Sequence, residues 1–126
     1  MSRDHDAILE ANEAFYRAFR DGDTAAMDAL WAQRAEVACI HPGAAPLSGR
    51  EAVIESWNEI LGGPPPIHCV RPRVHQLGDT GFVICGERVP GGVLVATNIF
   101  VREDGAWRMV HHHAGLGVPP SDDALN

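Results

Sequence analysis

The chain has 126 residues, 45% of them hydrophobic and 21% charged, the composition of one folded domain with room for a core. Its formal net charge is −7, with ten basic residues that are all arginine. A surface of that sign repels phosphate backbones and anionic lipid, so nucleic acid and membranes are not expected partners.

Residues 4–21 are predicted to be helical, because Ile8, Ala11, Phe15 and Phe19 recur at helical spacing and Gly22 can stop the helix. Asp23 or Thr24 caps a second, short helix carrying Met27, Leu30 and Trp31 on one side. Residues 36–41 read as a short strand with Val37, Cys39 and His41 on one face, followed by the loop Pro42-Gly43-Ala44-Ala45-Pro46. Ser48-Gly49-Arg50-Glu51 has the form of a capping box and opens a third helix with Val53, Ile54, Trp57, Ile60 and Leu61 on one stripe. Gly62-Gly63-Pro64-Pro65-Pro66 ends it. A meander follows, with strands near 67–77, 82–89, 93–102 and 106–114, and the final stretch from 117 to 126 reads as a loose tail. Helices first and a long antiparallel sheet second make the class α+β, in a single domain over 1–126 with its core near 6–116.

The last hairpin is the most informative segment. Asp104-Gly105 is a strong turn signal, and a turn there sets Phe100 opposite Met109, Asn98 opposite His111 and Ala96 opposite His113. Side chains alternate, so Asn98, His111 and His113 share one wall with Leu94, Ala96, Phe100 and Met109. Polar groups on an apolar wall suggest a lined pocket. The strand Val93–Val101 is apolar on both faces, and three helices cover only one. A second copy of the chain is the expected cover for Val93, Val95, Ile99, Val101 and Val110; the alternative is a loop or the tail folded over them.

Three cysteines, Cys39, Cys69 and Cys85, lie in apolar runs without CxxC spacing, which fits reduced buried thiols rather than disulfides or a cysteine zinc site. No apolar run is long enough for a membrane span and no basic-then-apolar leader opens the chain, so the cytoplasm is the expected location. Arginine without lysine points to a GC-rich, bacterial coding sequence.

The order of these elements, with Cys39-Ile40-His41-Pro42-Gly43, Leu47-Ser48-Gly49-Arg50-Glu51 with Trp57, and Ala96-Thr97-Asn98 with His111-His112-His113, resembles the SnoaL-like branch of the nuclear-transport-factor-2-like superfamily over about 6–116. The resemblance implies a cone of curved sheet wrapped around three helices, a pocket at its open end, and dimers through the outer sheet face. It covers ketosteroid isomerases, polyketide cyclases, dehydratases and a kinase association domain, so the fold leaves the activity open.

Against the isomerase pattern this chain departs. The first-helix tyrosine position falls on Phe15, with Tyr16 turned elsewhere; the base position falls near Cys39 or His41; the protonated-acid position matches Asn98. The expected catalytic set is therefore His41, His111 and His113 as acid or base, with Asn98 polarising a carbonyl or simply bonding a neighbour. The expected ligand-binding residues are Phe15, Trp57, Glu87, Phe100 and Met109, although Trp57 reads first as core. Glu87 faces the pocket if Gly91-Gly92 forms a two-residue turn, and faces outward if Pro90-Gly91-Gly92 forms a three-residue loop. His5, His68, His75 and His112 read as surface residues, and Arg71 and Arg73 as solvent or interface arginines. His111 and His113 with His41 would make a workable chelate, but no carboxylate is placed to orient the rings, so neither a metal nor a cofactor is expected. The expected function is binding of a small organic molecule, with acid–base chemistry on a carbonyl compound; the alternative is a non-catalytic dimerisation or interaction domain.

Overall fold

Helix α1 (Ser2–Asp21) and helix α2 (Thr24–Leu30) open the computed structural model, which describes residues 2–121. Strand β1 (Ala38–Ile40), β2 (Leu47–Ser48) and α3 (Arg50–Leu61) follow, then the meander β3 (His68–Leu77), β4 (Thr80–Val89), β5 (Gly92–Glu103) and β6 (Ala106–Gly115). The part of the predicted tail at 122–126 lies outside the described residues. No described helix is long and apolar enough to cross a membrane.

All strands join one six-stranded sheet in the order β2-β1-β6-β5-β4-β3. The pairing is antiparallel except that β1 runs parallel to β6, with Cys39 opposite His112. The sheet is therefore mixed and unclosed, and it curves around the three helices as the α+β cone requires.

Local chemistry explains most element ends. The Asp23 side chain accepts from the Ala26 amide at 3.0 Å and caps α2. The capping box does not form at α3: Gly49 is the cap, with φ +94°, no side-chain bond closes the turn, and Ser48 pairs with Ala38 in the β1–β2 ladder instead. The sheet competes for Ser48 and wins. Helix α1 buries Ile8, Asn12, Phe15, Tyr16, Ala18 and Phe19, a stripe one position wider than the apolar pattern implies, since Ala11 is only half-buried.

The core lies between this stripe, Val53 and Trp57 of α3, and the inner sheet face. That face is built from Val83, Cys85 and Glu87, then Ala96, Asn98 and Phe100, then Met109, His112 and Ala114. On the outer face Val95, Ile99 and Val101 are half-buried and Val93 is 37% exposed. The chain after β6 covers part of it. Gly86 is buried there, and a Cβ on it would sit 3.2 Å from Pro119 and 2.7 Å from Val70. Arg73 donates to the Ser121 carbonyl, so residues 117–121 are tied to the sheet rather than loose.

Candidate active site

The site grows from two register decisions in the sheet. At the β4–β5 hairpin the turn is Pro90-Gly91, so Val89 pairs with Gly92 and Glu87 with Leu94. That turn sits one residue earlier than expected, but two-residue loops on either side keep the same parity, and Glu87 points inward. It is 2% exposed.

At the β5–β6 hairpin the Asp104-Gly105 tip holds as expected, with Glu103 opposite Ala106 and Phe100 opposite Met109. A bulge then follows. Ile99 pairs with His111, so Val110 is the extra residue on β6 and every later position slips by one. Asn98 therefore faces His112, not His111, and Ala96 faces Ala114, not His113. This corrects three expectations at once. His112 is buried, His113 is exposed, and His111 points to the outer face, where its Nδ1 donates to the Ala38 carbonyl at 3.0 Å. The chelate of His41 with His111 and His113 cannot close, because the bulge puts those two on the opposite face from His41. Among the described residues no cluster of three or more metal-ligating side chains forms.

His112 enters a buried hydrogen-bonded chain. Its Nδ1–H donates to Asn98 Oδ1 at 2.6 Å. Asn98 Nδ2 donates to Asn12 Oδ1 at 2.8 Å and to the Tyr16 hydroxyl at 3.1 Å. Tyr16 donates to Glu87 Oε2 at 2.7 Å. Both Asn98 protons and its oxygen are thus engaged inside the protein, and Asn98 is fully buried. It orients His112 and Tyr16, which is the neighbour-bonding one of the two roles expected for it. Tyr16, expected to turn elsewhere, stands 1% exposed at the centre of the chain.

The electrostatics follow from burial. Desolvation raises the Glu87 carboxyl above the ordinary range, opposed by the Tyr16 hydrogen bond. Desolvation holds His112 down to about 3, so it is neutral, with a bare lone pair on Nε2. Nε2 lies 3.8 Å from Glu87 Oε2, which with a neutral imidazole is proximity and not an ion pair. Burial also lowers His41. Ser56 gives its hydroxyl proton to the Val53 carbonyl at 2.7 Å, so at 2.9 Å it accepts from His41 Nε2–H, which leaves His41 Nδ1 as the basic nitrogen.

Glu87, His112 and His41 share a cavity of about 520 Å³. Its other walls are apolar: Phe19, Ile60, Ile67, Val89 and Leu94, with Pro42, Pro65 and Pro90. Of the expected ligand-binding residues only Glu87 lines it. Phe100 and Met109 are fully buried core on the inner sheet face. Phe15 and Trp57 stand behind the cavity, where Trp57 packs edge-on against the His41 ring at 4.9 Å and Phe15 lies 4.9 Å from His112. His5 is half-buried, and His68 and His75 are exposed.

Sequence reasoning passed over Tyr16, Asn12 and His112. A signal existed for two of them. Ile8, Asn12 and Tyr16 are spaced by four on α1, so the apolar stripe can be read through them as readily as through Ala11. For His112 the only signal was Ala114, a small residue matched to Ala96 across the ladder.

Residues 8–119 match the family model of the SnoaL-like domain. A solved protein of Streptomyces avermitilis, described as a candidate dehydratase of the NTF2-like family, is 31% identical with a TM-score of 0.84, covering 93% of this chain and 98% of that one. A Thiobacillus denitrificans protein, described as a candidate calcium/calmodulin-dependent protein kinase type II association domain, is 36% identical with a TM-score of 0.74, covering 88% and 93%. The F-box protein SKIP8 of Arabidopsis thaliana is 36% identical over an alignment of 116 residues that covers 87% of this chain and 49% of that protein, so the chain spans about half the length of this relative. With the match covering nearly all the described fold, the chain belongs to the SnoaL-like domain family.

Proposed function

We propose that this domain binds a small, mainly apolar carbonyl compound and moves a proton on it, as an isomerase or lyase. The observation that carries the reading is Glu87: a carboxyl group buried in an apolar cavity, gripped by a tyrosine, with two neutral imidazoles beside it. Burial favours its protonated form, and in that form Glu87 is a hydrogen-bond donor in the cavity it shares with His112 and His41. A ligand carbonyl oxygen accepts from Glu87, and His41 Nδ1 takes the proton from the adjacent carbon. Returning that proton to another carbon gives isomerisation, and expelling a β-hydroxyl as water gives dehydration. The Streptomyces relative, described as a candidate dehydratase, supports the second outcome. Among the described residues no cationic side chain lines the cavity, so an anionic head group is disfavoured there.

The test is a thermal-shift screen of apolar ketones, enones and β-hydroxy ketones, followed by exchange of α-protons in deuterated water. Bound compounds should lose α-proton signal with the wild type, and Glu87→Gln and His41→Ala should each slow the exchange by at least about a hundredfold. Exchange that survives both changes would remove the assignment.

A second copy of the chain on the outer sheet face belongs to the same reading. Val93, Val95, Ile99 and Val101 leave an apolar strip there that residues 117–121 cover only at one end.

A further inference from the structure

The buried chain that holds Glu87 has a second outlet. Asn12 and Tyr16 also line a cleft of about 550 Å³ beside α1, with Cys69, Arg20, His68 and Glu13. None of its lining residues borders the Glu87 cavity. Asn12 cannot rotate freely. Its oxygen accepts from Asn98, so its NH₂ is turned outward, where it donates to Cys69 Sγ at 3.5 Å. An amide fixed with its protons on a sulfur favours thiolate over thiol. Behind Cys69 lies Cys85, a buried free thiol in hydrogen-bond contact with the Cys69 sulfur, two residues along β4 from Glu87, the ladder partner of Cys69, and 3.4 Å from the Tyr16 hydroxyl.

We propose that this cleft is a thiol oxidation site, in which Cys69 is the nucleophile toward a hydroperoxide and Cys85 captures the product as a disulfide. The Cys69 thiolate attacks the O–O bond. Its sulfur takes the hydroxyl as a sulfenic acid, and the other oxygen leaves as alkoxide and is protonated to the alcohol by the proton the thiol released. Cys85 then displaces hydroxide from that sulfur and gives up its own proton, so that water leaves and the S–S bond forms. Two thiols are oxidised and one peroxide is reduced. The ionisation order suits the roles. The contact with Cys85, with the Asn12 bond added, lowers the Cys69 thiol against desolvation and the charge of Glu13, while Cys85 is pushed up and keeps its proton. Disulfide formation draws Cys85 away from Tyr16, and so reaches Glu87. The site stands on the cleft and the sulfur pair, independently of what the Glu87 cavity binds.

The experiment treats the full chain with cumene hydroperoxide and maps its peptides by mass. A Cys69–Cys85 cross-link with Cys39 still free is expected. Cys69→Ser should abolish it, and Cys85→Ser should leave a sulfenic acid on Cys69 that dimedone traps. Asn12→Ala should slow the reaction about tenfold, the loss of a hydrogen bond to a charged group. If that variant does not fold, iodoacetamide labelling of the native wild type decides, with Cys69 reacting well ahead of Cys39 and Cys85. Equal labelling of the three thiols, or oxidation of Cys69 beyond the sulfenic acid with Cys85 untouched, would overturn the proposal.

Discussion

His112 shows how one residue's environment sets its chemistry. In water an imidazole titrates near 6.5; here burial holds it down to about 3, and Asn98 fixes its tautomer. The linkage to stability has a definite sign. Between about 6.5 and 3 the unfolded chain binds a proton that the folded His112 refuses, so this group's contribution is full above 6.5 and drains away as pH falls. Glu87 acts oppositely, since a raised folded value favours folding at low pH and loses that advantage as pH rises through it. In a Glu87→Gln background, urea unfolding should therefore lose about 1.4 kcal/mol per pH unit on acidification because of His112. His112→Gln in the same background should flatten that limb. An unchanged slope would mean that His112 is solvated.

At the scale of elements, the hairpin tip was legible and the ladder beyond it was not. Asp104 and Gly105 adopt φ +55° and +78°, the left-handed pair that a tight two-residue turn demands. A Cβ on Gly105 meets nothing within 4 Å, so Gly105→Ala tests backbone strain alone and should cost about 1 kcal/mol in urea unfolding. Gly115→Ala, equally open but without positive φ, is the matched control and should be nearly neutral. The bulge at Val110 has no such marker. Met109, Val110 and three histidines allow either parity, and the choice is made where His112 finds Asn98 and Ala114 finds Ala96. Glu87 shows the converse: its turn moved by one residue, yet its side chain kept the expected face, because a two-residue loop conserves parity wherever it sits.

For the whole molecule, the apolar strip on the sheet's outer face is where the proposed second copy docks. Ile99→Asp, in the middle of the strip, should leave the fold intact and convert a dimer to a monomer in sedimentation velocity. Val118→Asp, on a side chain 93% exposed, should not. A wild type that sediments as a monomer at high concentration would refute the interface.

The amino-acid sequence by itself determined the element order and the α+β class, because these rest on periodicity, turn residues and stops that act within a few residues of chain; the cone and the family came from its resemblance to the SnoaL-like branch. It also placed His41 and Cys39 on one inward face. Only the tertiary structure decided which histidine looks inward, that Ser48 serves the sheet rather than the helix, and that Tyr16 and Glu87 meet. Those outcomes turn on a one-residue register shift and on contacts between positions up to 86 residues apart, as for Asn98 and Asn12. Local pattern carries no information about such pairs until packing brings them together.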